Sequence, residues 1–241
     1  MIITVNELKQ LKEIPNSGYD HVKVEFLFHS NKLEGSTFTK ENLELYLKEK
    51  KIEGSHQVDD VYETINSMKL FDFVVDTLGE PLTEKLLLEF HRLLKKNTLD
   101  AERGLVGVWK KIPNMILGVT GNLELAQPFE VPFRMESLLS DWNEGKKDFE
   151  AIMKFHVAFE KIHPFQDGNG RVGRFIILKQ CLENSVDLIS LDEQYSVAYK
   201  QGLFLAQTEN DFSGLREVFQ NAQTLLDEKL AFLPNTLAYL K

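Results

Sequence analysis

Apolar and polar positions along this chain recur mostly at helical spacing. Over residues 19–34, Val22, Phe26, Leu33 and the Leu27/Phe28 pair fall on one face of a helix, and Gly35 follows as its stop. Thr39 is placed to cap a second helix whose buried face includes Leu43 and Leu47. Val58, Val61, Ile65, Met68 and Val75 predict a longer helix closed by Gly79 and Pro81, and Thr83 caps another that carries Leu86, Leu87, Phe90, Leu93 and Leu94. From about Arg103 to Pro132 the helical spacing is lost. Gly104, Gly107, Gly118 and Gly121 interrupt that stretch, while Val106–Trp109 and Met115–Leu117 have β character around a Pro113-Asn114 turn. Helices resume over residues 135–142, 149–162, about 171–184, 193–208 and 215–230. The pattern predicts an all-α fold with one small β-hairpin. No repeat, low-complexity run or Pro/Gly/Ser-rich linker divides it, so one compact unit is expected.

Composition narrows the class. The chain has 241 residues, 43% hydrophobic and 27% charged, an ordinary globular balance. No apolar run reaches the roughly 20 residues needed to span a bilayer. The start, Met1-Ile2-Ile3-Thr4-Val5-Asn6, lacks the basic segment and apolar core of a secretory signal. Cys181 is the single cysteine, which rules out an internal disulfide, fits a reducing compartment and reads as inert burial in an apolar helix. A cytoplasmic protein without membrane attachment is the expectation. The net charge of −9 argues against nucleic-acid binding, which calls for a basic surface.

Candidate chemistry is concentrated between His163 and Arg174, which read His-Pro-Phe-Gln-Asp-Gly-Asn-Gly-Arg-Val-Gly-Arg. Glycine takes positive φ at little cost, so Gly168-Asn169-Gly170 can turn successive N–H groups into a concavity. A helix starting at about Arg171 would aim its unpaired N–H groups and positive dipole end at that hollow, as in a phosphate site. Arg171 and Arg174, three apart, can reach the same side of the first turns. Asp167 is an oxygen ligand beside the cradle, the usual way in which Mg²⁺ is held. His163 is a candidate proton acceptor near neutral pH. His156, Glu160 and His163 also share a helical face, but Pro164 ends the helix at His163, and core packing of His156 is favoured over a metal site.

These twelve residues resemble the Fic family motif, His-Pro-Phe-x-Asp/Glu-Gly-Asn-Gly-Arg-x-x-Arg, at every fixed position. The resemblance extends over about residues 80–220. Upstream, Ser30-Asn-Lys-Leu-Glu34-Gly35 is similar to the Ser/Thr-x-x-x-Glu-Gly/Asn motif of Fic proteins with an N-terminal inhibitory helix. Independently, Glu34 falls at a predicted helix C-terminus, where the dipole disfavours an anion by ~0.3–1 kcal/mol, so a cationic partner is expected. The resemblance nominates Arg174, with Ser30 one turn earlier steadying Glu34.

The resemblance implies a Fic-type helical domain that transfers AMP from ATP to a hydroxyl of a target protein or of the chain itself. It implies His163 as base and Asp167 as the ligand of an ATP-bound Mg²⁺. Gly168, Asn169 and Gly170 would donate to phosphate, with Asn169 also offering its side chain, and Arg171 and Arg174 would clamp the outer phosphates. Tyr199 and Gln207 would touch adenine, and the hairpin bearing Ile112, Met115, Ile116 and Leu117 would be a flap docking the target. Residues 1–79 become an N-terminal region carrying the inhibitory helix, packed on a catalytic core of residues 80–241. Removal of AMP, transfer of UMP or phosphocholine, and a nucleotide-gated binding module stay open as alternatives, as does assembly into homo-oligomers. Gly170 stands where relatives that phosphorylate depart from the motif.

Overall fold

The computed structural model of the chain describes residues 5–117 and 122–231. Helices α1 (Val5–Lys12), α2 (Gly18–Lys32), α3 (Lys40–Glu49), α4 (Val58–Asp76), α5 (Glu84–Leu94) and α6 (Leu99–Glu102) come first. The strands β1 (Ile116–Leu117) and β2 (Asn122–Leu123) follow, and then α7 (Val131–Glu144), α8 (Phe149–Ile162), α9 (Asn169–Glu183), α10 (Ser196–Thr208) and α11 (Ser213–Lys229). The all-α expectation holds.

Helix α9 is the axis. It packs against α8, α4, α5 and α2, so it is covered on nearly every side. That is why its apolar run shows little sidedness: Val172, Phe175, Ile176, Ile177, Leu178, Cys181 and Leu182 are all buried. Even Lys179 is fully enclosed, tolerated because its ammonium donates to Thr77 O at 2.6 Å and pairs with Glu183 at 2.6 Å. Cys181 is buried as expected, its thiol pushed up to about 12 by that burial.

Local signals set most boundaries. Thr39 caps α3 in a reciprocal pair with Asn42, Thr83 accepts from Leu86 N, and Asp148 accepts from Ala151 N at the start of α8. Three expectations need correction. The helix expected to reach residue 34 ends at Lys32, which leaves Glu34 in the following turn, and Gly35 (φ +85°) reverses the chain. Helix α1 is an element that the apolar spacing did not indicate, with only Leu8 and Leu11 buried. The third correction concerns the strands. Val106–Trp109 is not one, because Gly107 takes φ +68° and Lys110 N donates to Pro164 O at 2.8 Å, which ties this segment to the loop after α8. The pairing present is antiparallel, Ile116 opposite Leu123 and Leu117 opposite Asn122. Residues 118–121 between those strands lie outside the described residues, and Pro113-Asn114 precedes β1 instead of turning the hairpin.

Phe165 locks the loop between α8 and α9 to the core. Its ring is fully buried, stacked on His91 with centroids 4.0 Å apart and tilted against Trp109 at 5.2 Å. Phe165→Ala should therefore cost about 3–5 kcal/mol of stability, measured by denaturant unfolding. A loss below about 1 kcal/mol would mean that this loop is not anchored by its aromatic plug.

Candidate active site

Pro164 disfavours a helical conformation for the residue before it, so α8 closes on His163. His163 takes the left-handed region (φ 51°, ψ 62°), and its N–H donates to Phe159 O at 2.8 Å. This turns the imidazole inward. Nδ1 is enclosed, and Nε2 is the nitrogen left for a substrate. Burial first, then the charge of Lys110, holds the imidazole down to about 4, so it is neutral near pH 7.

Gly168 (φ +81°) makes the turn into α9, which only glycine takes without strain. The Asn169 side chain spans the loop from within, accepting from Phe165 N at 2.8 Å and donating to Phe165 O at 2.9 Å. That amide holds the loop through its oxygen and one N–H. Among the described residues, no side chain caps the start of α9, so its first-turn N–H groups point at the open side of the loop.

The four charged groups around this turn are all engaged. The Arg174 side chain is buried: Nε donates to Ser30 Oγ and Nη2 to Ser30 O, each at 2.9 Å, and Nη2 pairs with Glu34 at 2.6 Å. The sequence placed Ser30 as a support for Glu34, but its hydroxyl and carbonyl hold Arg174. The carboxylate of Glu34 rests over Gly170, where a Cβ would collide with its Oε1. Burial alone would raise the Glu34 carboxyl, but the charges of Arg174 and Arg171 outweigh it and hold it below the usual range. Arg171 pairs with Glu63 from α4, and Glu63 pairs in turn with Lys95. Lys95 also reaches Asp167 at 2.6 Å and Asp100 at 2.9 Å.

Asp167 is over half exposed, and Lys95 lies on its Oδ2. Against its own desolvation, Lys95 and then Arg171 keep it ionised. Among the described residues, no three His, Cys, Asp or Glu side chains gather as a metal site. One carboxylate beside a phosphate-binding turn fits a Mg²⁺ carried in on phosphates, since that ion is commonly held by one or two carboxylates plus substrate oxygens.

Sequence reasoning missed His91, Lys95, Glu63 and Lys110. His91 accepts from Gly107 N at Nδ1 (3.0 Å), so its Nε2–H donates to Asp167 O at 3.1 Å and fixes the loop backbone. Lys110 Nζ donates to Ile162 O at 3.2 Å and Asn114 Oδ1 at 2.8 Å, directly behind His163. Nothing local marks these residues: His91 and Lys95 lie 76 and 72 positions from Asp167, Glu63 lies 108 from Arg171, and Lys110 lies 52 from Ile162.

Other expected site residues are more scattered. Tyr199 is buried on α10 with its hydroxyl on His156 Nε2 at 2.7 Å. Gln207 is buried as well, its side chain donating to Val157 O at 3.4 Å and its carbonyl accepting from Lys161. Both are thus turned into the helix packing. Ile112 and Met115 are exposed near β1, and Ile112 N donates to Gln166 at 3.3 Å. Ile116 and Leu117 form β1. No helix among the described residues is long and apolar enough to cross a membrane.

Comparison with known proteins finds similarity to Fic proteins across this site. A probable protein adenylyltransferase of Aquifex aeolicus (strain VF5) is 28% identical over 156 residues, 64% of this chain, and the chain spans 42% of that relative's length. A Fic domain containing signaling protein from Bacteroides thetaiotaomicron superposes with a TM-score of 0.76 at 23% identity, over 94% of this chain and 96% of that one. A Fic family protein from Desulfovibrio desulfuricans gives 0.67 at 22% identity, over 92% of this chain and 73% of that one. Fic-1 from C. elegans gives 0.73 at 15% identity, over 100% of this chain and 69% of that one. At such identities the structures speak for the fold alone. The Fic/DOC family model matches residues 81–181, which contain the whole stretch from His163 to Arg174.

Proposed function

We propose that the chain is an autoinhibited protein adenylyltransferase, with residues 1–79 acting as the inhibitory region of a catalytic core formed by residues 80–241. One observation carries the reading. A neutral histidine, an uncapped helix start and two arginines converge on one loop, and a carboxylate from the N-terminal region rests on that helix start.

In the proposed reaction the target hydroxyl attacks the α-phosphorus of ATP. Its proton passes to His163 Nε2, the new O–P bond forms, and the bond to the β-phosphate breaks with its electron pair leaving on pyrophosphate. The first-turn N–H groups at Gly170 and Arg171 are the donors for phosphate oxygens, and the two arginines clamp the outer phosphates once they are released from Glu63 and Glu34. Asp167 would hold an ATP-bound Mg²⁺, which offsets charge on the phosphates when present. The exposed Ile112 and Met115, with β1, would form the flap that receives the target strand.

Incubation with ATP labelled at the α-phosphate, at the γ-phosphate, or with labelled UTP tests this directly. Retention of the α-label alone on protein is the expected result. Retention of the γ-label would mean phosphorylation, and labelling from UTP alone would mean uridylyl transfer.

A further inference from the structure

Behind His163 lies a second carboxyl with no assigned task. Glu160 sits one turn earlier on α8, only 4% exposed, and its Oε2 is 3.7 Å from His163 Nδ1. Its Oε1 and the Nδ1 atoms of His156 and His163 are all enclosed without a hydrogen-bond partner, although the Glu160 backbone carbonyl also acts on the His163 imidazole and favours its charged form. A buried unpaired carboxyl is costly, so its position calls for an explanation. Gly173 makes the space: a Cβ there would lie 2.6 Å from Glu160 Oε1 and 3.2 Å from His156 Nδ1. Position 173 is one of the two unspecified places between the motif arginines, yet here its missing side chain is what admits the carboxyl.

We propose that Glu160 is a positioning residue for His163: its carboxyl sets the imidazole with Nδ1 protonated and Nε2 free, and, when ionised, it accepts the Nδ1–H as Nε2 takes the hydroxyl's proton. This rests on the reading of His163 as the base of the transfer. The physical logic is that of any imidazole oriented by a carboxylate at its second nitrogen: the anion favours the imidazolium and so strengthens the base. The gap of 3.7 Å is longer than a hydrogen bond, and closing it takes a side-chain shift of roughly half an ångström.

The surroundings give the switch a pH range. Burial pushes Glu160 up to about 8, offset in part by Arg174 from α9 and reinforced by Glu34 beyond α2. Tyr199 from α10 and His156 close the other side, both neutral, and Lys110 and Asp167 face His163. The raised carboxyl is protonated below about pH 8 and charged above it. A single group of that pKa goes from about one-tenth to nine-tenths ionised between pH 7 and 9, so transfer limited by this base should rise about tenfold across that interval.

The test is a ¹⁵N titration of histidine imidazoles in the full chain, with His163 resonances identified by their loss in His163→Ala. The parent should carry its proton on Nδ1, and the His163 shifts should bend near pH 8. Glu160→Gln should remove that bend, and in the transferring enzyme it should flatten the tenfold rise. Among the described residues Lys110, also lowered to about 8 by burial, is the other group facing His163 that titrates there, and Lys110→Gln should leave the bend in place. A parent with no bend, a bend that survives in Glu160→Gln, or one lost in Lys110→Gln each overturns the proposal. The titration needs no nucleotide transfer. A chain that transferred no AMP but kept the Nδ1–H tautomer and the Glu160-dependent bend would sink the adenylyltransferase reading while upholding Glu160 as the group that orients His163.

Discussion

Glu34→Gly should raise the initial rate of AMP transfer at least tenfold, equivalent to ~1.4 kcal/mol or more of barrier. The carboxylate now does two things at once. It takes Nη2 of Arg174, and it covers Gly170 at the start of α9. A phosphate seeking that turn meets a like charge there, and a phosphate seeking Arg174 finds the guanidinium bound to Ser30 and Glu34. Because Arg174 and Arg171 hold the Glu34 carboxyl below its usual range, the block stays charged near neutral pH and weakens only as pH falls through that lowered value. Glycine removes both obstacles while leaving Ser30 to orient Arg174. Adding Arg174→Ala to Glu34→Gly should return the rate toward the parent, since the freed guanidinium is then gone. An initial rate in Glu34→Gly equal to that of the parent would mean that Glu34 is a structural partner of Arg174 and not an inhibitor.

How far the site could be read from sequence follows from how local its determinants are. Helix α8 was legible to the residue, because a strong apolar stripe runs to Ile162 and Pro164 dictates the stop. The turn into α9 was legible in Gly168-Asn169-Gly170, but the helix, expected from about Arg171, already begins at Asn169, and of the two glycines only Gly168 takes positive φ. Helix α1 was not, since eight residues give barely two turns and only Leu8 and Leu11 face the core. Val106–Trp109 has the composition of a strand, but tertiary contacts took precedence: Gly107 serves His91, and Lys110 serves Pro164 and Ile162. The charges that position the motif, Glu63 and Lys95, come from separate helices and have no spacing relation to Asp167 or Arg171. Glu160 was visible as a member of the His156–His163 face. Its role needed the distance to Nδ1 and the space over Gly173, which periodicity does not contain.

His163→Ala, made in the Glu34→Gly background so that there is a rate to lose, should lower AMP transfer by about 10²–10⁴-fold, the usual contribution of a positioned general base. Nucleotide affinity should stay within about twofold, because the donors at the start of α9 and both arginines are untouched, and a twofold change is under ~0.5 kcal/mol. The backbone complicates the alanine variant. His163 is left-handed at φ 51°, a conformation that costs alanine roughly 1–2 kcal/mol, so a fall in rate could come from a displaced loop. His163→Asn separates the two causes. Asparagine tolerates that conformation and hydrogen-bonds locally, but its amide cannot take a proton at neutral pH. If base chemistry is the reason, both variants fail alike while the asparagine variant melts close to the parent. A His163→Asn enzyme that recovers most of the rate would show that the loop's shape, and not the imidazole, is what the reaction requires.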